Sequence, residues 1–182
     1  LQVSEMVGQY PASARYIVTT LIPKADGGLR PINLFPAVFR VHSRCRSMFL
    51  RQWAATRGRH AAINMAQGRH TNDGVYRLLV RQGLRPSGQC QATVLWDIKK
   101  AFENVRRDQL VTAAHRFGYP LGWLRLSLCS YAWDRTLVVE HAAGHTVRAQ
   151  VGIGAGAMSA THELHLYVLA MLYAHQQTLP QV

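Results

Sequence analysis

Acidic residues are scarce in this sequence. Asp and Glu number 9 among 182 residues against 21 Lys and Arg, a formal charge of +12. That imbalance excludes an acidic, solvating chain and favours a polyanionic partner, because a surface that neutralises phosphates releases their counterions. Cysteine is equally sparse. Cys45, Cys90 and Cys129 are far apart and form no CxxC pair. A disulfide framework is therefore excluded, and reduced thiols in an intracellular setting are expected. No uncharged apolar run approaches the roughly 18 residues of a membrane span, and no lipid-type amphipathic helix stands out, so no membrane partner is expected. Internal repeats and low-complexity segments are absent as well. The charged share is only 16%, but the hydrophobic share of 48% is enough for a real core, which excludes disorder for the bulk of the chain. The length suits one domain, or a substantial part of one. The chain starts at Leu1 with no signal peptide and stops at Leu179-Pro-Gln-Val182 without a clear boundary, as expected of a piece of a longer reading frame.

What is present reads as alternating hairpins and helices. Arg15 to Leu21 is β-branched and aromatic, Pro23 to Gly28 carries the turn tip Asp-Gly-Gly, and Leu29 to Leu34 returns, so a hairpin holds Lys24 and Arg30 on opposite limbs. Pro36 to about Arg57 has helical spacing, with Val38, Val41, Cys45, Met48, Phe49 and Trp53 expected on its apolar face and Arg40, Arg44, Arg46 and Arg51 on the other. Thr71 is expected to cap a helix running to about Gln82, before a Gly/Pro/Ser linker over 83–89. Ala92 to Asp97 reads as a strand, Phe102 to Phe117 as a helix closed by Gly118, and Trp123 to Ala132 as another. Leu137 to His141 and Thr146 to Gln150 form a second hairpin around Ala142-Ala-Gly144. A flexible Gly152-Ile-Gly-Ala-Gly156 loop follows, and then a helix capped by Ser159 and running to about Gln176. The order predicts an α+β fold rather than repeating βαβ units. Trp96, Trp123 and Trp133 are expected in the core. His162 and His165 have no nearby Cys and make a poor zinc pair.

Asp97 is the most pointed residue. An apolar strand ends on it, and a carboxylate there is costly unless something cationic meets it. It reads either as a metal ligand or as the cap of the segment that follows.

Three separated blocks carry a resemblance. Ile22-Pro-Lys24-Ala-Asp-Gly-Gly-Leu-Arg30-Pro-Ile32 resembles the fingers hairpin of reverse transcriptases. Trp96-Asp97-Ile-Lys-Lys-Ala-Phe102-Glu-Asn-Val105 resembles their first catalytic palm motif. Gly152-Ile-Gly-Ala-Gly156-Ala-Met-Ser159 resembles the glycine-rich loop before the long palm helix, and Gln67 to Asp73 is a weaker fourth match. The type is closest to group II intron and non-LTR retroelement enzymes. The resemblance implies a right-hand polymerase fold with fingers over about 15–90 and a palm over about 91–182.

It also implies roles. Nucleotidyl transfer uses two divalent ions roughly 3.5–4 Å apart, Mg²⁺ or Mn²⁺ here, and hard cations prefer oxygen ligands. Asp97 would bridge them as the catalytic carboxylate, with the Ile98 carbonyl as a further metal ligand beside the nucleotide. Lys24 and Arg30 would meet the triphosphate of a dNTP, Phe102 would pack under its sugar and exclude a 2′-hydroxyl, and Gly156 would let the backbone approach it. Arg40, Arg44 and Arg69 would track the phosphates of an RNA template and DNA primer. Phe102 also reads as a core aromatic, and each arginine as a solvated charge.

The sequence departs from the family in places. Ala155 stands where a glutamine is usual, Ala160 where a proline commonly follows Ser159, and Glu103 where Asp is more frequent. An aromatic-X-Asp-Asp motif, expected on a hairpin after the helix holding Leu164 to Tyr173, does not occur in the sequence. One Asp cannot hold two ions, so the chain by itself is expected to be inactive. The function that follows is RNA-directed DNA polymerase. The alternative is a non-catalytic nucleic-acid-binding remnant of the same fold.

Overall fold

The computed structural model describes all residues except 26, 61–62, 64–69, 85, 87, 89–97, 141 and 177–182. The chain opens with a short helix α1 (Gln2–Val7) and a 3₁₀ turn (Ala12–Ala14), then forms the hairpin β1 (Tyr16–Pro23) and β2 (Leu29–Leu34). Helices α2 (Ala37–Ala55), α3 (Thr71–Gly83), α4 (Arg107–Phe117) and α5 (Leu121–Tyr131) follow. The second hairpin is β3 (Asp134–Val139) and β4 (Ala142–Arg148), and α6 (Ala160–Gln176) closes the described part. The fold is the expected α+β.

All four strands join one sheet in the order β2-β1-β3-β4. Both hairpins are antiparallel, while β1 pairs with β3 in parallel, Tyr16 opposite Asp134 and Thr20 opposite Val138. A parallel pair needs a long crossover. Here the crossover is everything from β2 to β3, including α2, α4 and α5. The first hairpin closes as its sequence predicts. Gly27 takes φ 80° at the tip, and the Lys24 N–H donates to the Gly28 carbonyl at 2.8 Å. Aromatic side chains fill the core beneath the sheet. Phe35 and Phe39 stack at 4.7 Å, Tyr10 meets Trp133 edge-on at 5.6 Å, and Trp123 and Trp133 are both buried.

Several expectations need correction. On α2 the apolar stripe faces outward: Val38, Val41, Cys45, Met48 and Phe49 are exposed, and of the expected set only Trp53 is buried. The inward face is Phe39, His42, Ser43, Leu50, Trp53 and Ala54. Two of these are polar, and their burial is tolerated because they are bonded. Ser43 Oγ donates to the Phe39 carbonyl, and His42 sits between Tyr10 and Glu5. Helix α3 is capped by His70 rather than Thr71, with the His70 N–H donating to Asp73 at 2.7 Å. Helix α4 begins at Arg107, not Phe102. Residues 99–104 form turns, and the carbonyls of Phe102 and Val105 accept from the Ile153 and Gly152 N–H groups, each at 2.9 Å, which ties this segment to the later loop. The second hairpin turns after Val139, with Glu140 at φ 53°, while Ala142 to Gly144 lie within β4. Ser159 precedes α6, but its hydroxyl turns toward Tyr131 and Glu163. The expected strand over 92–97, with Trp96, lies outside the described residues. Gly118 closes α4 in the left-handed conformation, φ 60°, as expected.

Candidate functional site

Three segments far apart in sequence meet at one open cleft of about 880 Å³. The first hairpin supplies Lys24 and Arg30, the 99–104 turns supply Lys100, Phe102 and Glu103, and the glycine-rich loop supplies Gly156. Arg30 lies opposite Ile22 in the hairpin register, one pair before the turn that carries Lys24, so both cations reach the same end of the ribbon. Phe102 is half-buried and does two things at once: its ring packs on the core and lines the cleft. Lys100 adds a third cation that the sequence reading did not single out. It sits at φ 52°, in the left-handed region that non-glycine residues rarely adopt.

Backbone contacts lock the three segments together. The Asn33 N–H of β2 donates to the Ala155 carbonyl at 3.0 Å, while the Gly152 and Ile153 N–H groups reach Val105 and Phe102. Gly156, at φ 108°, lies so close to the Asn33 carbonyl that a Cβ has no room. Gly152, at φ 82°, would place a Cβ 2.6 Å from the Glu103 carbonyl oxygen. Packing against the hairpin and the 102–105 turn is thus enough to require both glycines. Arg107, which no sequence signal marked, fastens the loop from below. Its Nε donates to the Gly152 carbonyl at 2.8 Å, and its Nη2 donates to the Tyr131 and Ala149 carbonyls at 3.0 and 3.2 Å. Burial lowers its pKa.

Other sequence-based site residues fall elsewhere. Asp97 and Arg69 lie outside the described residues. Ile98, which follows Asp97, is exposed and does not line the cleft. Arg40 and Arg44 are exposed on α2, where they line a separate depression of about 250 Å³ with Ala37 and Val41. His165 Nε2 donates to the Gly58 carbonyl at 2.8 Å, and burial lowers the pKa of both His162 and His165. Among the described residues no group of three or more His, Cys, Asp or Glu side chains is placed to hold a metal ion. The cleft's one described carboxylate is Glu103. That donor set does not hold two hard cations, which need several oxygens each. Among the described residues, no helix is long and apolar enough to cross a membrane.

The buried polar set under the loop was also missed. Glu163, in the first turn of α6, is fully buried, and Tyr131 Oη donates to its Oε2 at 2.5 Å. Burial raises the carboxyl pKa above its ordinary value. The nearest sequence signal is a lone Glu among apolar helix positions.

No curated protein sequence matches the chain. Among solved structures, apo telomerase from Candida tropicalis, truncated from its C-terminal domain, matches with a TM-score of 0.56 at 13% identity over 92% of this chain. At that identity the likeness is one of fold, the right-hand polymerase fold. The chain spans 40% of the length of that telomerase chain. The family model "Reverse transcriptase (RNA-dependent DNA polymerase)" matches residues 22–162, well over half of the sequence, and takes in the turn and second strand of the first hairpin, the Phe102 turn and the glycine-rich loop. The chain belongs to the reverse transcriptase (RNA-dependent DNA polymerase) family.

Proposed function

We propose that this chain handles the incoming nucleotide and the primer–template in an RNA-directed DNA polymerase of a retroelement, of the group II intron or non-LTR kind. The convergence of Lys24, Arg30, Lys100, Phe102 and Gly156 on one cleft carries the reading. Three cations around an apolar floor suit a deoxynucleoside triphosphate: the phosphates take the charges, and the sugar lies over the Phe102 ring. Lysine and arginine bound to phosphate make charge-assisted hydrogen bonds, the stronger kind. The fingers take in about 15–90 and the palm about 91–182, with one sheet running across that division. Mg²⁺ or Mn²⁺ would supply Lewis-acid stabilisation of the transferring phosphate. Asp97 and the Ile98 carbonyl are the proposed ligands. RNA template and DNA primer are the proposed macromolecular partners, in an intracellular setting, and the net charge of +12 favours both.

A second reading has its own observation. Ala155 replaces the usual glutamine and its carbonyl is spent on Asn33, which removes one side-chain contact to a nucleotide and favours a nucleic-acid-binding remnant of the fold.

The test is titration of the chain with the fluorescent nucleotide mant-dATP. Lys24→Ala and Arg30→Ala should each weaken binding by about 10-fold, since a hydrogen bond to a charged group contributes about 1.5–3 kcal/mol. Unchanged affinity in both variants would remove the nucleotide assignment and leave the remnant reading.

A further inference from the structure

We propose that Glu163, through its hydrogen bond with Tyr131, positions the Gly152–Gly156 loop that walls the nucleotide cleft. The inference rests on the nucleotide-cleft reading for its functional consequence, but its geometry stands apart from that reading.

Tyr131 is the last residue of α5 and is fully buried. The loop leans on it in two places. An added Cβ on Gly154 would lie 3.0 Å from the Tyr131 ring, so the loop backbone rests directly on that ring. The Tyr131 carbonyl accepts from Arg107 Nη2 at 3.0 Å, and the same guanidinium holds the Gly152 carbonyl through Nε at 2.8 Å. The ring is in turn fixed at its far end, where Oη donates to Glu163 Oε2 at 2.5 Å and Ser159 Oγ lies 3.4 Å away. The chain of contact therefore runs from Glu163 through Tyr131 to the loop, and from the loop to Val151, Ala155 and Gly156 in the cleft wall.

Burial and the missing donor at Oε1 favour the neutral form of Glu163. Glu163 Oε2 accepts from Tyr131, but Oε1 has no donor. Ser127, beside the carboxyl, gives its hydroxyl proton to the Leu124 carbonyl at 3.0 Å. A carboxylate would leave Oε1 buried and unpaired, which is costly. The neutral acid reduces this cost, because an uncharged carboxyl loses less than an anion when one oxygen is buried without a donor. Among the described residues no cation is bonded to the group to hold it ionised. On α5 and the turn before it stand Tyr131 and Tyr119, both kept un-ionised by burial. On α4 and β3, Arg107 and Arg135 direct their guanidiniums at the Tyr131 carbonyl. On α6 itself, His165 bonds to Gly58, and burial disfavours the charged form of His162.

A neutral positioning residue makes a distinctive prediction, because glutamine can copy it. The Gln amide N–H can donate to Ser127 while its oxygen accepts from Tyr131. Ionisation of Glu163 as pH rises through its raised pKa should weaken the anchor; glutamine cannot ionise.

The experiment compares wild type, Glu163→Gln, Glu163→Ala and Tyr131→Phe in two readouts. The first is hydrogen exchange at the Gly152 and Ile153 amides. Glu163→Ala and Tyr131→Phe should speed exchange there, with Glu163→Gln like wild type. The second is mant-dATP affinity between about pH 5 and pH 9, a range that includes documented pKa values of buried glutamates. Glu163→Ala and Tyr131→Phe should bind about 5-fold more weakly, as neighbours coupled through shared packing do. Wild-type affinity should fall relative to Glu163→Gln as pH rises. Should Glu163→Ala not fold, Tyr131→Phe carries the same test, because it keeps the ring and removes only the hydroxyl. Unchanged loop exchange in Tyr131→Phe, or Glu163→Gln behaving like Glu163→Ala, would overturn the proposal. Failure of Lys24→Ala and Arg30→Ala to affect mant-dATP would instead sink the nucleotide reading, with the exchange readout still deciding the positioning role.

Discussion

Glu5 and Glu163 are two glutamates with opposite surroundings. Glu5 lies on α1 with its side chain 28% exposed and meets cations. Arg46 reaches both of its oxygens, Nε at 2.5 Å and Nη2 at 2.6 Å, and His42 Nε2 donates to Oε1 at 2.7 Å. The Arg46 guanidinium holds the Glu5 carboxyl below its usual pKa. Glu163 has no exposed surface, its partners among the described residues are hydroxyls, and burial pushes its pKa up. One glutamate works as an anion that staples the N-terminal segment to α2. The other, its pKa raised by burial, sits among hydroxyls under the glycine-rich loop. The difference teaches that burial and partner, rather than residue type, decide which protonation state a fold relies on.

The largest effect that can break this comparison is at Glu163. Removing its side chain leaves a cavity and takes away the short acceptor of the Tyr131 hydroxyl, so Glu163→Ala should lower stability by about 2–4 kcal/mol. Glu163→Gln should cost little at low pH and become stabilising relative to wild type as pH rises. The sign follows from linkage. Above the ordinary value of 4.5 an unfolded chain has released this proton while the folded protein keeps it, so wild-type stability falls with pH until the raised folded pKa is passed. Urea unfolding at several pH values measures the difference. Parallel curves for wild type and Glu163→Gln would mean that the carboxyl is ionised in the fold and finds a partner there.

The pattern of what was legible follows the same division. The first hairpin was legible because its signals are local: β-branched strands and an Asp-Gly-Gly tip fix their own geometry. The convergence of Lys24, Arg30, Phe102 and Gly156 was legible only through resemblance, since no local rule joins residues so far apart in sequence. The α2 face was misread because its inward side carries His42 and Ser43, whose burial depends on Tyr10 and Glu5 in the N-terminal segment. Helix α4 was started five residues early because the Phe102 and Val105 carbonyls are claimed by a loop about 50 positions later. Glu163 was passed over for the same reason: its partner hydroxyl is 32 residues away. Long-range hydrogen bonds that override local periodicity account for each of these misses.

A smaller effect sharpens the comparison from the other side. Glu5→Gln keeps an amide oxygen to accept from His42 Nε2 but removes the charge that Arg46 holds. The pair is partly exposed, with Arg46 at 35%, so water and salt screen it, and the loss should be only about 0.5–1 kcal/mol at neutral pH. Its pH dependence runs opposite to that of Glu163. A carboxyl whose folded pKa is depressed contributes stability above its ordinary value of 4.5, and that stability is lost as pH falls through the lower folded pKa. Wild type and Glu5→Gln should therefore converge in acid, whereas wild type and Glu163→Gln should diverge toward alkali. Salt near 1 M should halve the Glu5 effect or more, because it shortens the screening length to about 3 Å, and should leave the buried Glu163 difference nearly untouched. Equal salt sensitivity at the two sites would show that both glutamates sit in comparable, solvent-reached surroundings, and the contrast between them would fail.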